Sequence, residues 1–279
     1  MHTKEINSKS IITKSNLPDT DYVVNPYIGC QFGCHYCYAS FMGRFVGENI
    51  SNWGNYVYLK INSIELFKSD LKKIMKRNPN SKILLSSVTD PYHGIESKYK
   101  LTRGILAVLV ESRYPGLVSI LTKSPSVLRD IDYLAKLNNV EVGMTITTTN
   151  DQLSKLLENN APPVSLRIKA LKKLKEAQIP TYAFIGPLLP HFRYYPEQLD
   201  FLFREIHLAN VESVFVEHIN MSNYIRASLM PKLSSLPDIH IEMYRKANTD
   251  EHKIALDDIV KSLLKKYQLK LRLNQVISH

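Results

Sequence analysis

The sequence predicts an α/β fold in which a parallel sheet carries helices, and three observations support this class. Short apolar, β-branched segments recur along most of the chain, and each is followed by a segment whose apolar residues have helical spacing. No Pro-, Gly- or Ser-rich linker divides the chain. The glycine-rich phosphate-binding patterns GxGxxG and GxxxxGK(S/T) do not occur, which narrows the class by disfavouring nucleotide-binding Rossmann and P-loop folds. Alternating strands and helices favour a parallel sheet with ligand sites at the carboxyl ends of its strands, in either a partial barrel or an open doubly wound sheet.

The predicted elements follow one another along the chain with little interruption. The first strand, at 22–29, leads into a group of cysteines, and an amphipathic helix follows at 63–77. A helix at 124–137 begins with Ser124 as N-cap and Pro125 in its first turn. The other five strands are predicted at 82–88, 117–123, 140–147, 181–189 and 213–219, and the other helices at 102–113, 165–178 and 197–208.

The last sixty or so residues do not continue the alternation. They contain one amphipathic helix at 251–267 and a final apolar segment at 269–273. We therefore divide the chain into an N-terminal extension at 1–20, a main α/β domain at 21–220, and a cap at 221–279 that packs on the main domain.

Composition narrows the class of protein. The 279 residues are 44% hydrophobic and 22% charged, which are ordinary globular values and exclude a disordered chain. Thirty-six Lys and Arg against 26 Asp and Glu give a net charge of +10, which predicts an acidic partner. No apolar run approaches the roughly 18 residues of a membrane span, and the first residues lack the apolar core of a signal peptide. These features predict a cytoplasmic protein that does not enter a membrane.

The three cysteines carry the clearest chemical signal. Cys30, Cys34 and Cys37 lie within eight residues, so they cannot form a disulfide framework. Gly29 and Gly33 allow tight turns between them. A 4Fe–4S cluster is normally held by four cysteine thiolates, and the chain has only three cysteines, so a cluster here would keep one iron open to an outside ligand. S-adenosylmethionine can fill that position with its amino and carboxylate groups.

Two alternatives use the same cysteines without radical chemistry. A structural zinc site could add His35 as the fourth ligand, but His35 is adjacent to Cys34, and a tight loop cannot easily direct both at one tetrahedral ion. A simple iron–sulfur electron-transfer or nucleic-acid-binding module is the other alternative. The missing fourth cysteine counts against it, since electron transfer needs a closed coordination shell.

The spacing CxxxCxxC, with Tyr36 before the last cysteine, resembles the radical S-adenosylmethionine superfamily. Further segments resemble its spore photoproduct lyase-like branch, which is related to DNA repair photolyases, over roughly residues 20 to 220. The resemblance implies a partial (βα)6 barrel of the TIM type that binds a 4Fe–4S cluster and S-adenosylmethionine at the carboxyl ends of its strands. It also implies reductive cleavage of that cofactor to a 5′-deoxyadenosyl radical. The segments that carry the resemblance are Asn-Pro-Tyr-Ile-Gly-Cys at 25–30, Val-Thr-Asp-Pro-Tyr at 88–92, Leu-Thr-Lys-Ser-Pro at 121–125 and Tyr-Ala-Phe-Ile-Gly-Pro at 182–187.

The same resemblance implies a set of cofactor contacts. The backbone beside Tyr36 would meet the adenine, and the hydroxyls of Thr89 and Thr145 would lie near the methionine part of the cofactor. Lys123 ends the third predicted strand and could pair with the methionine carboxylate. Arg167 is a second candidate for that carboxylate, because a guanidinium binds a carboxylate through two parallel hydrogen bonds.

The catalytic residues and the substrate are less well defined. Asp90 is a candidate for a ribose or substrate contact or for a simple turn before a proline, and Tyr92 is a second catalytic candidate. Spore photoproduct lyases use a cysteine as hydrogen-atom donor, and Ser87 stands at the matching position, which disfavours thymine-dimer repair by that route. The substrate is then a peptide or a nucleic acid. Some members of the branch excise a tyrosine-derived fragment from ribosomal peptides, and an accessory protein could supply recognition here. An electron donor of the flavodoxin or ferredoxin type is a further expected partner.

Overall fold

The strands of the protein form two sheets. In a computed structural model, which describes residues 1–235 and 238–278, the larger sheet has eight strands and the smaller has three. In chain order the strands are β1 (His2–Ile6), β2 (Ile12–Lys14), β3 (Tyr22–Val24), β4 (Tyr27–Ile28), β5 (Tyr56–Lys60), β6 (Ile83–Leu85), β7 (Val118–Thr122), β8 (Val140–Thr145), β9 (Thr181–Leu188), β10 (Ser213–His218) and β11 (Lys270–Leu271).

Helices connect the strands of the larger sheet. In chain order, within the residues just given, the α-helices are α1 (Ser63–Arg77), α2 (Glu96–Tyr99), α3 (Leu101–Glu111), α4 (Ile131–Leu134), α5 (Asp151–Glu158), α6 (Val164–Glu176), α7 (Pro196–Leu208), α8 (Asn223–Leu229), α9 (Asp238–Arg245) and α10 (Asp250–Tyr267). Shorter 3-10 segments occur between them.

The order of strands in the larger sheet identifies the architecture. That order is β11-β10-β9-β8-β7-β6-β3-β2. Every neighbouring pair from β3 to β10 is parallel. A doubly wound sheet reverses its order at a switch point, whereas these six strands follow one another without reversal. They form a partial (βα)6 barrel, as predicted.

The first predicted strand is divided between the two sheets. Within the segment predicted at 22–29, β3 pairs with β6 in the barrel, and β4 pairs with β5 in the smaller sheet. Pro26 lies between β3 and β4, and a proline has no N–H to donate to a sheet. The chain therefore leaves the barrel just before the cysteines.

The helix predicted at 124–137 is also different in the structure. It is a 3-10 segment, Pro125–Asp130, followed by the single turn of α4. Ser124 is the N-cap, as expected, and its side-chain oxygen accepts a hydrogen bond from the N–H of Ser126 at 3.2 Å. The prediction of this helix was thus correct at its start and wrong in its type and length.

The smaller sheet was not predicted. Its order is β1-β5-β4, with β1 parallel and β4 antiparallel to β5. Four of the five residues of β1 are exposed, so β1 has no apolar alternation by which a strand is recognised. β5 is buried at four of its five positions and lies behind the cysteine loop.

The C-terminal segment contacts the barrel in two places. Helix α10 packs against α7 through a stripe of buried residues, Leu256, Val260 and Leu263. β11 pairs in parallel with β10 at the edge of the barrel sheet. The cap predicted at 221–279 includes residues 236, 237 and 279, which lie outside the described residues. None of the described helices has the length and apolar character needed to cross a membrane.

Candidate cluster and cofactor site

The three cysteines lie on one loop that follows β4. The loop makes two successive turns, in which the N–H of Gly33 donates to the carbonyl of Cys30 at 3.3 Å and that of Cys37 to the carbonyl of Cys34 at 3.2 Å. All three are free thiols; Cys30 and Cys34 are buried and Cys37 is partly exposed. The loop thus presents three unpaired sulfur atoms from one short segment.

Two glycines give the loop its path against β5. Gly29 has a φ of +90°, and a Cβ at this position would lie 2.4 Å from the carbonyl oxygen of Tyr56. Gly33 has a φ of +58°, and its Cβ would lie 3.0 Å from the Cα of Gly54. A side chain at Gly29 would therefore meet both an unfavourable backbone conformation and the backbone of the neighbouring strand.

The loop is also tied to other parts of the barrel. The hydroxyl of Thr89, beyond the end of β6, donates to the carbonyl of Gly29 at 2.6 Å. On the opposite side, His35 donates its N–H to the carbonyl of Leu157 at 2.9 Å, and the N–H of Asn160 donates to the carbonyl of Phe32 at 3.1 Å. Segments far apart in sequence therefore hold the loop from both sides.

Burial of the sulfur atoms favours the neutral thiols, and nearby N–H groups and the cation of Lys123 oppose this effect. Burial, helped by the charge of Asp90, raises the pKa of Cys30 to about 12, while the backbone N–H groups of Phe32 and Asp90 act to lower it by hydrogen bonding. Burial also raises the pKa of Cys37, against the opposing effects of Lys123 and of the N–H groups of Ala39 and Ser40. N–H groups directed at cluster sulfurs are a known control of cluster potential. The donor set therefore fits an iron–sulfur cluster.

Lys123 is placed beside this loop. Its ammonium lies 5.6 Å from the centre of the Tyr36 ring. Burial lowers the pKa of Lys123, but the charges of Cys34 and Glu158 outweigh it, so the pKa lies above its ordinary value. No hydrogen bond joins this ammonium to another side chain in residues 1–235 and 238–278. Lys123 is thus a cation at the edge of the loop that can accept a carboxylate partner.

Glu158 lies at the centre of the site, and its role was not predicted from the sequence. It is fully buried at the end of α5 and accepts hydrogen bonds from the hydroxyls of Tyr36, Ser154 (2.8 Å) and Thr147 (3.2 Å). Its carboxylate also pairs with the guanidinium of Arg167. Burial would raise the pKa of Glu158, yet the positive charges of Arg167 and Lys123 hold it at about 2.

Arg167 lies behind this carboxylate and not at an open edge of the site. Its side chain has no exposed surface. Besides its contact with Glu158, the guanidinium donates to the carbonyl of Pro162 at 2.7 Å and to that of Thr145 at 3.2 Å. The predicted contact of Arg167 with the cofactor carboxylate stays a prediction, and its present partners give it a structural role.

Asp90 joins the ends of two barrel strands. Its carboxylate accepts from the hydroxyl of Thr122 at 2.6 Å, from the N–H of Lys123 at 2.7 Å and from the N–H of Tyr92 at 2.9 Å. Tyr92 is buried in the core, and burial together with the charge of Asp130 holds its pKa well above the ordinary value. Both residues therefore have structural roles in this arrangement, and their catalytic roles stay predictions.

Thr145 and Thr89, the remaining predicted cofactor contacts, lie at or beyond the carboxyl ends of barrel strands. Thr145 is buried at the end of β8, and the hydroxyl of Thr89 is taken up by the loop. The Nδ1 of His35 lies 3.3 Å from the hydroxyl of Ser228, so this nitrogen has a partner other than the cysteine sulfurs. Among the described residues, no three His, Cys, Asp or Glu side chains are placed to hold one metal ion.

A partial barrel with three free cysteines on the loop after its first strand is typical of one class of enzymes, and comparison with known proteins identifies that class. The chain belongs to the radical SAM superfamily, whose family model matches residues 24–203. A protein of Methanocaldococcus jannaschii, MJ0683, is 42% identical over 186 residues, which is 67% of this chain and 67% of the relative. Members of the superfamily are enzymes that use a 4Fe–4S cluster and S-adenosylmethionine.

Solved structures share the fold at low sequence identity. Spore photoproduct lyase in complex with a dinucleoside spore photoproduct superposes with a TM-score of 0.74 at 15% identity, covering 96% of this chain and 80% of the lyase. Streptococcus suis SuiB bound to the precursor peptide SuiA superposes with a TM-score of 0.56 at 14% identity, covering 92% of this chain and 48% of SuiB. Both confirm the partial barrel.

Proposed function

We propose that this protein is a radical S-adenosylmethionine enzyme that abstracts a hydrogen atom from a macromolecular substrate. The observation that carries the proposal is the loop of Cys30, Cys34 and Cys37, in which backbone N–H groups act on Cys30 and Cys37 and the cation of Lys123 acts on Cys34 and Cys37. A 4Fe–4S cluster held by the three thiolates would supply one electron to the sulfonium of S-adenosylmethionine, whose bond between sulfur and C5′ would break to give methionine and a 5′-deoxyadenosyl radical.

The side chains around the loop would position the cofactor. The ammonium of Lys123 would bind the methionine carboxylate, because it lacks a hydrogen-bonded partner among the described residues and lies at the edge of the loop. Glu158 would hold Tyr36 in place by accepting a hydrogen bond from the tyrosine hydroxyl, so that the backbone beside Tyr36 faces the adenine. Thr89 and Thr145 would lie near the methionine part of the cofactor.

The substrate proposal is a macromolecule, either a peptide or a nucleic acid. The net charge of +10 favours an acidic partner. Spore photoproduct lyase is solved with a dinucleoside lesion and SuiB with a precursor peptide, so related barrels accept both classes. All three cysteines lie in the loop, and Ser87 has only its hydroxyl to offer, which disfavours a lesion repair that needs a cysteine as hydrogen donor. Excision of a tyrosine-derived fragment from a peptide, helped by a recognition protein, is one alternative for the specific reaction.

The proposal is tested by anaerobic reconstitution with iron and sulfide, followed by reduction with dithionite in the presence of S-adenosylmethionine. We expect about four irons per chain and formation of 5′-deoxyadenosine. Cys34→Ala should lose both, whereas His35→Ala should retain both. Tight zinc without iron, or loss of metal in both variants alike, would favour the zinc alternative and refute the proposal.

Salt dependence separates the two substrate classes. Binding to single-stranded DNA would weaken steeply as salt rises, because each neutralised phosphate releases condensed counterions. We would measure the dissociation constants of single-stranded DNA and of tyrosine-containing peptides between about 50 and 200 mM salt. Tight, salt-dependent DNA binding would select nucleic acid, and preferential binding of a peptide would select the peptide class.

We also propose that residues 221–279 act as a cap over the barrel. This is supported by the pairing of β11 with β10 and by the hydrogen bond between Nε2 of His218 and the carboxylate of Asp257 at 2.9 Å, which joins the end of β10 to α10. On the site side, the hydroxyl of Tyr224 donates to the carbonyl of Tyr38 at 3.2 Å, directly beyond the last cysteine. The cap would then contribute one wall of the substrate entrance.

A further inference from the structure

A nine-residue 3-10 segment, Tyr38–Val46, follows the last cysteine without a break. Its residues Ala39, Ser40 and Gly43 are buried. Gly43 lets the segment lie close to β5, because a Cβ there would be 2.7 Å from the hydroxyl of Tyr56. The opposite face of the segment is open to solvent. It therefore forms an exposed ridge attached directly to a cluster ligand.

The exposed face of this ridge is aromatic and basic. Phe45 is 62% exposed, which is unusual for a large apolar ring. The guanidinium of Arg44 lies 4.8 Å from the centre of the Phe45 ring and 5.0 Å from that of Phe41. In the part of the chain that the structure describes, no acidic side chain pairs with Arg44. We call the surface formed by Phe41, Arg44 and Phe45 the aromatic–arginine ridge.

The ridge is close to the place where an electron must enter. At about 2 Å of rise per residue in a 3-10 helix, Phe41 and Phe45 lie roughly 8 and 16 Å along the axis from Cys37. Cys37 is also the one cysteine of the loop that is partly exposed. A carrier seated on the ridge would therefore approach the cluster from the side of its most accessible ligand.

We propose that the aromatic–arginine ridge is the docking surface for an acidic flavodoxin that reduces the cluster, an inference that rests on the proposed function. The segment from Tyr38 to Gly47 contains no Asp or Glu, and the chain as a whole carries a charge of +10, so the surface complements an acidic carrier. Phenylalanine and arginine are both enriched at protein interfaces relative to the rest of the surface. The flat rings suit the exposed edge of a flavin.

The step itself is a single electron transfer. The reduced flavodoxin is oxidised by one electron and the cluster is reduced by one, and no bond forms or breaks between the two proteins. The segment Tyr38–Val46 thus connects the docking surface to the ligand Cys37 through continuous backbone.

The chain offers a matched control for the ridge. Phe201 on α7 is 41% exposed, and the guanidinium of Arg204 lies 4.4 Å from the centre of its ring. This second aromatic–arginine pair lies on α7 and not on the segment that follows the cysteine loop, and its guanidinium also lies 3.7 Å from the carboxylate of Glu205. Phe45→Ala and Arg44→Glu would be compared with Phe201→Ala and Arg204→Glu, all in the reconstituted holoenzyme.

Two readouts test the docking surface. By biolayer interferometry against an immobilised flavodoxin, Phe45→Ala and Arg44→Glu should each weaken the Kd about tenfold or more, as expected for central interface residues. Arg44→Glu should also flatten the dependence of Kd on salt. Flavodoxin-driven 5′-deoxyadenosine formation should fall in the same variants, while the dithionite-driven rate should stay within about twofold. The two control variants should change neither readout.

The inference is overturned if the ridge variants bind flavodoxin like the unchanged protein, or if the dithionite-driven rate falls as much as the flavodoxin-driven one. Selective loss of ferredoxin or single-stranded DNA binding would identify another occupant and would also overturn it. Failure of the unchanged protein to form 5′-deoxyadenosine with dithionite would instead refute the proposed function, and the binding measurement would still decide the docking surface.

Discussion

Replacing Glu158 with glutamine should destabilise the protein by about 3 kcal/mol. The substitution keeps the size of the side chain but removes its charge, which leaves the buried guanidinium of Arg167 without a counter-charge. The pKa of Glu158 is lowered from its ordinary 4.5 to about 2, which corresponds to roughly 3 kcal/mol at about 1.4 kcal/mol for each tenfold change in proton affinity. Breaking a buried ion pair by removing one partner typically costs about 3–5 kcal/mol, which agrees with this value.

The measurement is urea unfolding of the reduced apoprotein, with Glu212→Gln as control. Glu212 forms an ion pair with Lys175 at 2.7 Å, but its side chain is 84% exposed, so its loss should cost less than about 1 kcal/mol. Because the folded-state pKa of Glu158 is lowered, its contribution is present above pH 4.5 and is lost as the pH falls towards 2. The difference between the unchanged protein and Glu158→Gln should therefore shrink over that interval. Equal stabilities of the two variants at neutral pH would refute the reasoning.

Three further substitutions separate loop shape, cofactor binding and simple stability. Gly29→Ala should prevent cluster assembly, measured as iron content, because its Cβ would lie 2.4 Å from the backbone of β5. Gly47 has a φ of +76°, but a Cβ there meets no atom within 4 Å, so Gly47→Ala should retain iron. Lys123→Met should weaken binding of S-adenosylmethionine by about tenfold or more, as expected for a lost charged hydrogen bond. Equilibrium dialysis of the reconstituted enzyme measures this affinity. Lys136→Met removes another lysine beside a tyrosine ring and should leave the affinity unchanged. Thr89→Val removes the 2.6 Å hydrogen bond to the loop and should lower the free energy of unfolding by about 1 kcal/mol; an unchanged unfolding curve would contradict a role in holding the loop.

The repeating part of the fold was accessible from the sequence because each barrel strand is a short apolar run next to an amphipathic helix. The strand β7 and the helix α1 show this pattern within their own residues. β1 could not be found in this way, since it is exposed on both faces and exists through its pairing with β5. The strand order, which decided between barrel and doubly wound sheet, depends on contacts between segments and is not encoded in any single one.

The residues of the candidate site likewise differ in whether the sequence could reveal them. The three candidate cysteines could be found from the sequence because they lie in one short segment with a characteristic spacing. Glu158 was not visible, because its helix is ordinary and its partner Tyr36 lies 122 residues earlier in the chain. Arg167 was recognised as important from its residue type, but its burial against Glu158 could only be learned from the packing of α5 and α6.

The hydrogen bonds that hold the cysteine loop have a consequence for the order of folding and cluster assembly. The loop emerges early in synthesis, but its hydrogen-bond partners include Thr89 and the segment at Leu157 and Asn160, which emerge much later. A nascent chain that has exposed only its cysteines cannot give them this shape. If the three cysteines hold a cluster, we expect iron and sulfide to be incorporated only after the barrel has folded as far as α5, because the loop has its observed hydrogen bonds only then.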